Sequence, residues 1–447
     1  MSWSYTLAEL ANAIGAKPPK TDRRFASVST DTRTLKTGDV YFALSGERFD
    51  GNQFVEEAFA KGAVAAVAAV DSAVGPCLVT TDPLTALQAF AAYHRARYVP
   101  KVIAITGSCG KTTAKDFAAA VLAARFDVVK TRGNLNNEIG CPLSLLQIDE
   151  TTDAAVIEMG AAHRGNIAEL CALARPTQSA ITLIAPSHLE GFGSIENIAH
   201  TKGEIVGALP PDGVFYVNTD DEWCRRIGLR FSGEKLEFGS KGDVALEDCR
   251  FADDGELLLE VRPVGVLRLP LACRAHATNV LLAIAIGLRN GVTEFEGPLR
   301  EASVSRLRFR ILRIGSLEVI DDTYNASPAS MAAAMQGLAD RPGNGGRVAA
   351  LGDMLELGAE SPRLHREVGA LAGQLGVSAV FALGEQASAI IDGARAAGVP
   401  RTAILPDHAI MAQAIHDYAS DGDCVLVKGS RGMRMEKVIE ALRALRR

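Results

Sequence analysis

KVIAITGSCGKTT, residues 101–113, sets an apolar run of strand-forming residues directly against a glycine-containing turn, a lysine and two threonines, with helix-forming sequence after them. Strand, loop and helix in that order are the context a phosphate-binding loop needs. Gly107 and Gly110 allow main-chain N–H groups to turn inward, and Lys111 can reach toward β- and γ-phosphates. The Thr112 hydroxyl stands where it can hold Mg²⁺ at the positive end of a helix. Thr106, Ser108, Cys109 and Thr113 make up the rest of the loop. The competing reading is a glycine-rich turn with an incidental lysine. Ile105 occupies the place of the usual first glycine, and that shorter spacing weakens a GTPase reading.

On either side of this loop the pattern sorts into three units, as about 150 residues per domain would give for a chain of 447. From Lys101 on, strand and helix alternate: VIAIT and a helix from Lys111, AAVIEM and a helix near Ile167, SAITLIA and a helix near Ile195. Such alternation predicts parallel strands with right-handed crossovers. Short strand-like segments, KLEFGS and VLRLPLA, follow. A second alternating block contains SLEVIDD, RVAALGDM, AVFALGE and DCVLVKG and ends on the helix MEKVIEALRALRR. Ahead of Pro100, VYFALSGERFDG supplies a strand and turn and FVEEAFAKGA a short amphipathic helix. The expected architecture is α/β in three domains: a small one at 1–99, a central P-loop ATPase domain with a mainly parallel sheet at 100–312, and a Rossmann-like domain at 313–447.

Composition removes several function classes. A net charge of -6 argues against a nucleic-acid or membrane-surface partner, each of which favours a concentrated basic face. The eight cysteines lie far apart without a Cys-x-x-Cys pair, so neither a zinc site nor a disulfide framework is suggested, and a reducing cytoplasm fits. The opening MSWSYTLAELANAIGAK lacks a basic segment followed by an apolar one, and the apolar run from Gly62 to Val70 is too short to span a bilayer. No membrane insertion is expected.

Two further residues close apolar runs at places where ligands collect if the sheet is parallel, outside the carboxyl ends of the strands. Glu158 follows AAVI and offers a hard oxygen to Mg²⁺; His188 follows ITLIAPS and offers a neutral imidazole. Each taken alone is more often a satisfied structural residue; their position relative to the loop, more than their identity, favours the ligand reading.

The loop, RGNLNNEIGCPLSLL (132–146), AVIEMGAAHRGNI (155–167), HLEGFGS (188–194), KGEI (202–205), IDDTYNASP (320–328), LGDMLELG (351–358) and VLVKGSR (425–431) stand in an order that resembles the Mur ligase family. Within it they resemble the type that adds D-alanyl-D-alanine. The resemblance implies a UDP-substrate domain, an ATPase domain and a domain for the incoming dipeptide. It implies an ADP-forming ligase acting, as a monomer, on UDP-N-acetylmuramoyl-tripeptide, ATP and D-Ala-D-Ala through an acyl-phosphate, in peptidoglycan precursor synthesis. By the same resemblance one Mg²⁺ lies near Thr112 and Glu158 and a second near His188. That second ion rests against Lys202 carbamylated by CO₂. Carbamylation requires the neutral amine, which an unperturbed lysine of pKa about 10.4 scarcely provides at neutral pH. The bland alternative is a surface lysine paired with Glu204 or Glu196.

Further site residues carry over by motif alone. Arg308 in RLRFRIL resembles the arginine that reaches the γ-phosphate, with Arg306 and Arg310 as rivals that strand alternation would place on the same side. Asn279 matches the residue that reads adenine, or else caps its helix. Asp322, Tyr324 and Asn325 match the segment that closes over the nucleotide. Lys428, Ser430 and Arg431 match the dipeptide side, where cations recognise a carboxylate. Asp31, Arg33, Gly46, Arg48 and Asp50 match the uridine-side motifs; Asn134, Asn136 and Asn137 offer contacts to the muramoyl end. The chain departs from the family pattern at Leu183, where an asparagine is expected, and at Asn166, where an acidic residue is usual. Two rivals stand beside this reading: a sister ligase adding one amino acid such as diaminopimelate or lysine, and a P-loop ATPase that makes no covalent product. The Asp-Asn-Pro-Arg segment usual in the diaminopimelate ligase is missing from the sequence.

Overall fold

The computed structural model describes residues 3–46, 49–302 and 308–446. The chain forms two compact units. The first takes in the residues up to Ala104 with Phe126–Gly160 and Asn166–Gln178; the second takes in Ile105–Arg125, Ala161–Gly165 and the chain from Ser179 on.

In the first unit four short parallel strands lie in the order Val28–Ser29, Val40–Phe42, Ala65–Ala68, Cys77–Val79. The strand read in VYF is there, and the segment after it folds into a two-stranded ribbon, Ser45–Gly46 against Phe49–Asp50. Helix Pro83–Arg95 starts on Asp82, whose side chain accepts the Leu84 N–H, with Pro83 in the first turn. Its buried face, including Phe90 and His94, meets an aromatic cluster of Trp3, Tyr5 and Phe25. Val128–Lys130 pairs in parallel with Ala154–Glu158 and brings Glu158 to a strand end.

His94 makes this core sensitive to acid. It is fully buried, with Nε2 2.7 Å from the Ile148 carbonyl and Nδ1 2.9 Å from the Tyr5 hydroxyl, so the neutral ring satisfies both contacts. Burial pulls its pKa down to about 4. Between that value and the unfolded value of about 6.5 the unfolded chain binds a proton that the native chain refuses, so stability falls as pH drops through this window. The loss amounts to roughly 3 kcal/mol at most. Urea titrations of the wild type from pH 7 to 4 should show this decline, and His94→Gln should flatten it; equal slopes in the two proteins would remove His94 as the cause.

In the second unit, Gln178–Ile181, Val214–Asn218, Glu234–Gly239, Val244–Phe251, Leu257–Arg262 and Gly265–Leu269 are neighbours in that order. Pairing is parallel from 214 to 251, where KLEFGS falls, and antiparallel beyond, where VLRLPLA falls. From Arg310 a six-stranded sheet runs Arg310–Ile314, Leu317–Asp322, Cys424–Lys428, Arg347–Gly352, Ala379–Leu383, Arg401–Ile404, parallel except for its first strand. Apolar clusters cover both of its faces, as a doubly wound sheet requires. Because Arg310–Ile314 pairs with Leu317–Asp322, the expected limit at residue 312 falls inside a strand of this sheet. Alternation across RLRFRIL also fails: the strand begins at Arg310, and Phe309 ahead of it has a φ of 47°. Arg308 therefore shares no strand face with Arg310, and Arg306 lies outside the described residues. Among the described residues no helix is long and apolar enough to cross a membrane.

Candidate active site

The phosphate loop of the second unit is tied to the end of strand Gln178–Ile181. Thr182 N–H donates to the Thr106 carbonyl at 2.9 Å, and its hydroxyl donates to the Cys109 carbonyl at 2.5 Å. Ser108 N–H donates to the Leu183 carbonyl and its hydroxyl to the Ala185 carbonyl, both at 2.8 Å. Gly107 and Gly110 are required by crowding as well as by conformation. A Cβ on Gly107 would stand 1.9 Å from Thr182 Oγ1, and one on Gly110, where φ is 84°, would stand 2.7 Å from Asn279 Oδ1. Helix Lys111–Ala123 begins directly after the loop, with Thr112 and Thr113 buried in its first turn. Lys111 folds back so that Nζ donates to the Gly107 carbonyl at 2.8 Å. Asn279 lies in the first turn of helix His276–Arg289, but the residue at the cap is Ala275, so the capping alternative is not what the fold uses.

Lys202 sits on helix Ile195–Gly207 among the buried residues Ile198, Ile205 and Val206, and is only 2% exposed. The surface-lysine alternative is overturned. Glu204, its supposed partner, accepts the Gly165 N–H at 2.8 Å. Burial holds the Lys202 amine well below its ordinary pKa, and the positive charge of Lys111 lowers it further.

Glu158, in the first unit, is 1% exposed. Its N–H donates to Thr131 Oγ1 at 3.0 Å, and Oε1 accepts from Asn136 Nδ2 at 2.7 Å. Oε2 is buried with no hydrogen-bond partner among the described residues. A buried carboxylate oxygen left in that state is costly unless a cation answers it. Asn136, matched to the muramoyl end by motif, here orients Glu158. Asn136→Ala should raise the Mg²⁺ concentration needed for half-maximal activity roughly 10- to 100-fold, the usual cost of losing a group that orients a metal-binding side chain. A magnesium titration of ligase activity checks it; an unchanged requirement with a raised KM for the nucleotide sugar would return Asn136 to substrate contact.

In the second unit His188, φ 50°, directs Nδ1 at the Glu356 carboxylate. Arg308 lies over the Tyr324 ring, 4.1 Å from its centroid. Strand register puts Asp322 opposite Lys428, and the two form an ion pair of 2.6 Å with Lys428 also donating to the Asn325 carbonyl. Asp322 accepts the Phe309 N–H through its other oxygen. Ser430 is buried and accepts the Leu355 N–H, while Arg431 pairs with Glu436. Residues assigned by motif to two ligands thus form one network. No group of three or more His, Cys, Asp or Glu side chains gathers as a metal cluster among the described residues.

Among the residues matched by motif to the uridine side, the Asp31 carboxyl is held down to about 2 by its hydrogen bonds from Arg33. Asp50 accepts from Ser45 and Asn52 and braces the turn that carries the exposed Gly46. Arg48 lies outside the described residues. Asn134 is exposed, and Asn137 accepts the Gly140 N–H.

Family models match along the chain: "Mur ligase family, catalytic domain" at residues 24–100, "Mur ligase middle domain" at 105–287 and "Mur ligase, glutamate ligase domain" at 307–431. The UDP-N-acetylmuramoyl-tripeptide–D-alanyl-D-alanine ligase of Bacillus subtilis (strain 168) is 36% identical over 98% of this chain and 97% of its own. The chain belongs to the Mur ligase family. The Escherichia coli (strain K12) protein of the same description is 35% identical over 98% of both chains. Among solved structures, this Mur ligase superimposes on MurF from Acinetobacter baumannii with a TM-score of 0.91 and 31% identity over 99% of each chain. It also superimposes on MurF of Thermotoga maritima in complex with ADP, with a TM-score of 0.84 and 28% identity over 94% of this chain and 97% of that one. These likenesses make it a MurF-type Mur ligase.

Motif reading missed Thr182, whose two bonds hold the loop, and Glu356. The burial of Lys202 that a neutral amine requires is also legible in the spacing, since Ile198, Lys202 and Ile205 follow i, i+4, i+7 and put the lysine on the apolar stripe.

Proposed function

We propose that this Mur ligase joins D-alanyl-D-alanine to UDP-N-acetylmuramoyl-tripeptide with hydrolysis of ATP to ADP and phosphate. The observation that carries the assignment is full-length likeness to ligases of that description, on a chain whose loop holds the threonines and lysine that phosphates require. A diaminopimelate ligase shares only the fold, at 17% identity and a TM-score of 0.53.

The reaction follows from the groups present. An oxygen of the tripeptide carboxylate attacks the γ-phosphorus of ATP, the bond to the β-γ bridging oxygen breaks, and ADP leaves. The dipeptide amine then attacks the acyl carbon, the acyl–phosphate bond breaks, and the nitrogen sheds a proton as phosphate departs. Lys111 and the loop N–H groups neutralise and orient the phosphates. Arg308, stacked on Tyr324, supplies a second cation for the transferring group. Thr112 would offer its hydroxyl oxygen to Mg²⁺, and His188 a ring nitrogen and a carbamylated Lys202 its oxygens to a second ion; the Glu158 carboxylate, in the first unit, is likewise assigned to magnesium. Bound magnesium would cancel the repulsion between carboxylate and triphosphate. The orphaned Oε2 of Glu158 and the buried amine of Lys202 both fit these roles. Asn279, Asp322, Tyr324 and Asn325 are assigned to the nucleotide, and Lys428, Ser430 and Arg431 to the dipeptide side. The Asp31–Arg33 and Ser45–Asp50 turns are assigned to the uridine end, with the reaction in the cytoplasm and a single chain as the working unit.

Mass analysis of products from UDP-N-acetylmuramoyl-tripeptide, MgATP and either D-Ala-D-Ala or single amino acids tests the assignment. The expected product gains the dipeptide mass. A product carrying one amino acid, or phosphate release indifferent to the acceptor, would overturn it.

A further inference from the structure

His188 and Glu356 face each other, and both hold backbone conformations that bulky side chains avoid. Their φ values are 50° and 63°, two of five positive values at non-glycine positions among the described residues. Such conformations persist only where surrounding structure enforces them, and they gather at functional sites. Here the enforcement is visible. Met354 N–H donates to His365 Nε2 and Leu355 N–H to Ser430 Oγ, each at 2.8 Å, while Ser430 N–H returns to the Asp353 carbonyl at 2.9 Å. Met354 and Leu357 are buried on either side of Glu356, and the Glu356 carbonyl accepts the Glu190 N–H at 3.1 Å. The loop is clamped at the residues around Glu356, whose own side chain is more than half exposed and reaches His188.

As an ion pair at that exposure the contact would contribute little to stability. Its chemical consequence is larger. An ionised carboxylate only accepts hydrogen bonds, so the ring nitrogen facing it must carry the proton. With Nδ1 protonated, a neutral His188 keeps its lone pair on Nε2. Imidazoles that bind metals are commonly held in this way, with the far N–H given to a carboxylate. We propose that Glu356 is a positioning residue that fixes His188 as the Nδ1–H tautomer and so presents Nε2 to the divalent cation of the phosphoryl-transfer site. The carboxylate comes from the sheet that begins at Arg310, so the metal-side histidine is set by the same clamped loop that holds Ser430. This rests on the assignment of His188 as a metal ligand.

The test reads tautomer and metal affinity as well as activity. In protein with ¹⁵N-labelled histidine, free of metal and at a pH where His188 is neutral, long-range ¹H–¹⁵N spectra should show His188 as Nδ1–H, its signal identified by its loss in His188→Asn. In Glu356→Gln, whose amide can donate as well as accept, the signal should move to a mixture with the Nε2–H form. Glu356→Asn suits the left-handed backbone and is too short to reach the ring, so it separates loop stability from the carboxylate. Both variants should bind Mn²⁺ with ATP roughly 10- to 100-fold more weakly by electron paramagnetic resonance, with kcat falling in proportion at subsaturating metal. Wild-type His188 in the Nε2–H form, or Mn²⁺ affinity within twofold of wild type in both variants, would overturn the proposal. Neither readout needs ligase turnover: a wild type that forms no dipeptide product would sink the assigned reaction while leaving the tautomer result to decide this inference alone.

Discussion

Lys111→Ala is expected to lower kcat about a thousandfold or more while leaving the fold intact. Attack of a carboxylate on a triphosphate presses like charges together, and two unit charges 4 Å apart at an effective dielectric of 20 repel by about 4 kcal/mol. At 1.36 kcal/mol per tenfold, that single term corresponds to roughly three orders of magnitude in rate. Lys111 Nζ donates to the Gly107 carbonyl of its own loop, a bond that a phosphate oxygen can replace without moving the helix. Lys111→Arg should recover little, because the larger planar head must fit a loop where even a Cβ on Gly107 or Gly110 would collide. Single-turnover measurement of ADP formation, beside thermal melting, checks the prediction. Activity within tenfold of wild type would show that this loop does not hold the reacting phosphates.

What the sequence disclosed and what it withheld divide by the range of the interaction. The phosphate loop was legible because its mechanics are local: an apolar strand, two glycines, and the lysine and threonine that open a helix within eight residues. The alternation of strand and helix likewise gave the parallel strands of the second unit and the doubly wound sheet from Arg310. Side-chain partnerships across the sheet were not legible. Asp322 and Lys428 are 106 residues apart and meet only because their strands pair in parallel register, and His188 and Glu356, 168 residues apart, meet only through a clamped loop. Reading motifs one at a time therefore split a single network between two ligands. Period-two alternation misled at RLRFRIL for a different reason, since the positive φ of Phe309 breaks the pattern before the strand begins. Asn136 shows the remaining difficulty: an amide beside a substrate motif carries no sign of whether it meets substrate or orients a neighbouring carboxylate, as it does Glu158.

Lys202 gives the second large effect, and here function and stability should move in opposite directions. Replacement by alanine is expected to reduce ligase turnover on the order of a thousandfold, as the loss of a group stabilising transferring charge does. Acetate or formate added to that variant should restore at least tenfold of it, because a small carboxylate can occupy the space and charge of a carbamate. Lys202→Met fills the same buried volume without an amine, and its stability tests the environment independently. The unfolded amine holds its proton up to a pH near 10.4, whereas burial and Lys111 lower the native pKa well below that. Between the two values the unfolded state binds more protons, so in metal-free and CO₂-free buffer wild-type stability should rise with pH throughout that window. Lys202→Met should lack this slope and be the more stable protein at neutral pH, yet inactive. An inactive but unrescued alanine variant would remove the carbamate. An active methionine variant would remove Lys202 from the reaction altogether, because methionine fills the same buried volume but has no amine to carry a carbamate.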